Sequence, residues 1–161
     1  ARYLDKKDID NYLVELGGEL VGKGKNLGRD QMWAVGIDNP EQVEGERKLQ
    51  AAVKLENLAM ASSGNYRKYR TDPETGQSFV HTINPLTGLA EKSDLLSASV
   101  LAENCMLADG YATAFMALGY EGSKEMLNKL TNVDVYFIYL DENGKIGIYT
   151  TPGFEGALLE D

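Results

Sequence analysis

Along the chain, apolar positions come first in short runs and later at helical spacing. Leu13 to Leu16 is a short apolar run that predicts a strand. Glu19 to Gly24 and Met32 to Asp38 read as further strands, with Lys25 to Asp30 as the turn between them, and Asn39-Pro40 is a stop signal. Asp5 to Tyr12 reads as the end of a helix. Leu49 to Ala61 is rich in Ala and Leu and suits a helix, but Asn57 to Ser62 is better read as a strand running into Ser63-Gly64. Tyr66 to Thr71 and Gln77 to Ile83 flank Asp72-Pro73-Glu74-Thr75-Gly76, a hairpin turn. Ser97 to Ala102 predicts a strand, Cys105 to Leu118 a helix and Glu121 to Leu130 a second helix. Val133 to Leu140 and Lys145 to Thr150 flank Asp141-Glu142-Asn143-Gly144, another hairpin. Antiparallel hairpins packed with a few helices give the α+β class.

The helix over Cys105 to Leu118 carries the most chemistry. Leu107, Tyr111, Ala114, Phe115 and Leu118 form an apolar stripe, and Cys105, Ala112 and Met116 make the other side small or apolar too. Such a helix is expected to be buried all round. Asp109 is its one charge, and a buried carboxylate needs a proton, a partner or a metal. Thr113, four residues on, shares its face. A carboxylate and a hydroxyl so placed suit a hard cation such as Mg2+. The alternative is that Asp109 pairs with a Lys or Arg elsewhere, or caps a turn.

His81 is the single His. Strand alternation puts Phe79, His81 and Ile83 on one face. That allows either a hydrogen-bonded core imidazole or a base working near neutral pH, held at a cleft edge by the turn Asn84 to Gly88.

Charge narrows the partners. With 16 basic and 25 acidic side chains the net charge is −9, which disfavours nucleic acid. A phosphorylated ligand then needs a local device such as a metal ion or a helix N-terminus. No apolar run approaches the roughly 18 residues of a membrane-spanning helix. The single Cys105 forms no internal disulfide. The opening residues carry no signal peptide, and their charged, helix-like start without Met is expected of a chain whose beginning has been removed. Five of the 17 glycines fall between Gly17 and Gly28. They fit tight turns and bulges, or a close approach of backbone to ligand. They do not fit a dinucleotide-binding fingerprint, because Leu27 stands where the third glycine belongs. Ser62-Ser63-Gly64 offers hydroxyls and amides to a phosphate, or simply a turn.

Four strings in order carry a resemblance. They are Leu16-Gly17-Gly18-Glu19, Ser62-Ser63-Gly64-Asn65-Tyr66, His81-Thr82-Ile83-Asn84-Pro85-Leu86-Thr87-Gly88 and Ala108-Asp109-Gly110-Tyr111-Ala112-Thr113-Ala114. Together they closely resemble the ApbE family of FAD:protein FMN transferases, historically called thiamine biosynthesis lipoproteins. The resemblance spans nearly all of residues 1–161, as the C-terminal portion of an ApbE-type domain. It implies a Mg2+-dependent enzyme that cleaves FAD and joins FMN through a phosphoester to a Thr or Ser of a target flavoprotein, releasing AMP. With water as acceptor, the same site is an FAD pyrophosphatase. A non-catalytic flavin-binding fragment is the third reading.

By the same resemblance Asp109 and Thr113 are Mg2+ ligands and His81 is the catalytic base. Ile83 lies beside the flavin, and Gly17, Gly18, Ser63 and Gly64 lie near the cleft. The expected location is the periplasm or outer face of the cytoplasmic membrane, with membrane contact only through an N-terminal lipid anchor outside these residues. Asn84 and Asn65 stand where the family usually has Asp. The family's N-terminal motifs, including an aromatic that stacks on the flavin, are not recognisable before Leu13.

Overall fold

The computed structural model describes residues 1–40, 46, 48–65, 69–71, 78–80, 83, 88 and 93–159. In chain order α1 (Arg2–Asp5), β1 (Tyr12–Leu16) and β2 (Glu19–Lys23) are followed by β3 (Lys25–Asn26), β4 (Gln31–Asp38) and β5 (Leu49–Leu55). Next come β6 (Ala59–Gly64), β7 (Tyr69–Thr71), β8 (Ser78–Val80) and β9 (Leu95–Ala102). Then follow α2 (Cys105–Leu127), β10 (Asp134–Leu140), β11 (Ile146–Thr150) and α3 (Pro152–Glu155). The α+β class is as expected.

The centre is a six-stranded sheet in the order β1-β2-β6-β9-β10-β11, antiparallel at every pairing. β3, β4 and β5 form a smaller sheet, and β7 pairs with β8. Both faces of the central sheet are covered. Strand β10 shows why its sequence is an unbroken apolar run: alternate residues enter two different cores. Val135 and Phe137 join Ala98, Val100, Ala108, Ala112 and Phe115 on the α2 side. Tyr136 and Ile138 join Ile37, Val53, Leu55 and Phe154 on the side of the smaller sheet and α3.

Several expectations are corrected. The first helix ends at Asp5, and Tyr12 belongs to β1. Asp8 takes φ 56°, a left-handed turn that a helix cannot continue through. The helix reading fails over Leu49–Leu55, which is strand β5, whereas the strand preferred for Asn57 to Ser62 is present as β6; the two are separated by a turn in which Asn57 has φ 56°. Strand β5 is fixed by its pairing to β4, with Val35 opposite Val53. The two predicted helices run as one element ending at Leu127, broken at Gly119 (φ 71°, ψ −177°). The turn proposed for residues 72–76 lies outside the described residues; β7 and β8 on either side pair antiparallel.

Candidate active site

The N-terminus of α2 is set by Asn104, whose side-chain oxygen accepts from the Leu107 N–H at 3.0 Å. From there the helix presents Ala108, Ala112, Phe115 and Met116 to the sheet, all buried. The expected stripe is therefore rotated: of its members only Phe115 is buried, and Leu118 is exposed. Ala61, Ala98 and Ala102 on the strands meet Ala108 and Ala112 on the helix, and this small-on-small contact chooses the face.

The opposite face is open, not buried as expected. Met106, Asp109, Gly110 and Thr113 are exposed and follow one another at helical spacing. Asp109 is therefore hydrated and needs no proton, partner or metal to offset burial. What remains is an accessible carboxylate one turn before an accessible hydroxyl.

Two further elements build the surroundings. Alternation along β6 sends Ser63 toward α2, where its Oγ lies 3.5 Å from Thr113 Oγ1. Ser62 faces the other side and pairs with Ser99, Oγ to Oγ 2.8 Å. Asp109 stands on the wall of a cleft of about 790 Å³ between the N-terminal part of α2 and the β1–β2 hairpin. Tyr12, Val14, Leu16, Val21 and Met106 line it with apolar surface. Leu16 is 80% and Met106 78% exposed, an apolar exposure of the kind found at ligand grooves and at protein–protein contacts.

Sequence reasoning missed these wall residues. The signal was available, since Tyr12, Val14 and Leu16 alternate along one strand. Lys23, also on the wall, is held by Asp5 at 3.0 Å and Asp10 at 3.3 Å. The Asp5 hydrogen bond is the first cause of a Lys23 pKa above its ordinary value. Cys105 donates its thiol to the Leu20 carbonyl at 3.3 Å. Burial, then the charge of Glu19, pushes that thiol's pKa up, so it is not an activated nucleophile.

The nominated residues separate into two groups. Asp109, Thr113 and Ser63 gather on the α2 side. Gly17 and Gly18, at φ 72° and 112°, are the turn joining β1 to β2, a conformation that favours glycine. With Gly64 they line a second cavity of about 360 Å³, which also touches Ser62, Ser97 and Met60. Glu19 borders both cavities. Ile83 is exposed. His81 lies outside the described residues.

The sequence model of the ApbE family matches residues 1–137. The chain belongs to the ApbE family. It is 40% identical over 144 residues to an FAD:protein FMN transferase of Haemophilus influenzae, covering 89% of this chain and 40% of that protein. The FAD:protein FMN transferase of Escherichia coli is 32% identical over 161 residues, all of this chain and 44% of that one. Among solved structures, the flavin transferase ApbE from Vibrio cholerae superposes with a TM-score of 0.77 at 30% identity, over 98% of this chain and 47% of that one. The apo flavinyl transferase ApbE of Pseudomonas stutzeri gives 0.76 at 26% identity, over 97% of this chain and 46% of that one. The ApbE chain described here thus spans less than half the length of these relatives.

Proposed function

We propose that this ApbE chain forms part of a site that moves FMN from FAD to a Thr or Ser hydroxyl of a target flavoprotein and releases AMP. The observation that supports it is Asp109 on the wall of a largely apolar cleft of about 790 Å³, one helical turn before Thr113, which in turn meets Ser63. The acceptor oxygen attacks the FMN phosphorus, the pyrophosphate bond to AMP breaks, and the acceptor proton passes to a base.

Each residue has a part. His81 takes the acceptor proton. Asp109 and Thr113 would hold Mg2+. Their carboxylate and hydroxyl are both oxygen donors, accessible on one helix face, which is the donor chemistry a hard cation takes. When bound, Mg2+ supplies positive charge where the phosphorus oxygens gain negative charge. The exposed apolar residues Leu16 and Met106 give the flavin ring a surface and keep water from it. Ile83, Gly17, Gly18 and Gly64 are assigned to the flavin by the family resemblance, and the three glycines line the second cavity. The working location is the periplasm or the outer face of the cytoplasmic membrane.

Asp109 and Thr113 are open to solvent, so water can take the acceptor's place and yield FMN and AMP. One experiment reads both reactions. The chain is incubated with FAD, Mg2+ and an acceptor domain carrying an accessible Thr, and products are weighed by mass spectrometry. Transfer adds one FMN less one water to the acceptor. Free FMN without acceptor labelling assigns hydrolysis. Intact FAD and unlabelled acceptor contradict both.

A further inference from the structure

Thr113 is a helical threonine, and such a hydroxyl has two competing uses. It can fold back on the carbonyl four residues earlier, or turn outward to a partner beyond the helix. A hydroxyl that ligates a cation spends a lone pair on it, and its proton must then point away, to an acceptor. The oxygen positioned for that proton is Ser63 Oγ, 3.5 Å away and fifty residues earlier in the sequence.

We infer that Ser63 is a positioning residue for Thr113: it accepts the Thr113 O–H and so leaves the Thr113 lone pair free beside Asp109. This rests on the proposed cation site. It places Ser63 at the metal end of the site, not among the groups that touch flavin.

The placement is a consequence of the fold. Ser63 lies opposite Ala98 in the β6–β9 pairing, one residue after the Ser62 that bonds Ser99 on the other face. A one-residue slip of β6 would exchange the two serines. The 3.5 Å spacing is longer than an ordinary hydroxyl pair. A cation on Thr113 would make its O–H a stronger donor to Ser63 Oγ.

Mn2+ serves as the probe, with free Mn2+ read by electron paramagnetic resonance on the 161-residue chain. Ser63→Ala weakens Mn2+ binding about tenfold, the lower range for loss of a ligand's hydrogen-bond partner. Its urea midpoint stays that of wild type. Ser63→Thr keeps a hydroxyl and restores the affinity. In a Thr113→Val background, Ser63→Ala adds no further loss. Equal affinity of wild type and Ser63→Ala overturns the positioning role while leaving the cation site standing. Loss of affinity that Ser63→Thr does not restore overturns it too, as does a further loss in the Thr113→Val background. No Mn2+ binding by the wild-type chain overturns both readings.

Discussion

The backbone N–H of Tyr120 donates to Asp94 Oδ1 at 2.8 Å, across the point where Gly119 breaks α2. Asp94, just before β9, thus caps the second half of the helix from outside it. The break also lets Tyr120 stack on Tyr139 of β10, ring centroids 3.7 Å apart. The same kink lets the Ser123 hydroxyl reach the Phe115 and Gly119 carbonyls, at 3.0 and 2.5 Å.

Gly119→Ala is expected to destabilise the fold. At φ 71° and ψ −177°, a region adopted essentially only by glycine, a side chain costs about 1–3 kcal/mol, and its Cβ would stand 3.0 Å from Asp94 Oδ1. Urea unfolding checks this. A midpoint equal to wild type would mean that the kink is not required.

Asp109→Ala is expected to leave stability within about 0.5 kcal/mol of wild type, because the carboxylate is exposed. Divalent-cation binding should be lost in the same variant. Urea midpoint and Mn2+ titration read the two separately. Unfolding of the variant would make Asp109 a structural residue.

Acid should loosen the N-terminal wall of the cleft. The Asp5 carboxyl is held below its ordinary 3.8 by the Lys23 hydrogen bond first and the Tyr12 hydroxyl second. Its folded pKa is the lower one, so its contribution is complete above the unfolded value and disappears as pH falls through the folded one. On the alkaline side the sign reverses. Lys23 is raised above 10.5, so its contribution is present below that value and disappears as pH rises through the folded one. Amide exchange of residues in α1 and β1, followed against pH, should show both flanks. Asp5→Asn should remove the acidic flank.

What was legible in the sequence was local. At Asp141 to Gly144 the Asp141 carboxylate accepts from the Asn143 and Lys145 N–H groups, both at 2.8 Å, so the turn carries its own instructions. The four family strings are likewise contiguous. Strand β5 was not legible, because Ala51 and Ala52 are good helix formers and only the pairing to β4 makes them strand. The exposed face of α2 was hidden for the same reason: alanines on β6 and β9 select Ala108 and Ala112, and nothing within the helix does. Ser63 could be named from its string, but its nearness to Thr113 is a property of the folded sheet.

The most direct test of the central claim is calorimetric titration of FAD into the 161-residue chain, with and without Mg2+, for wild type and Asp109→Ala. Mg2+ is expected to strengthen FAD binding to wild type and to leave FAD binding to Asp109→Ala unchanged. FAD binding that is absent, or the same with and without Mg2+ in both proteins, would contradict it.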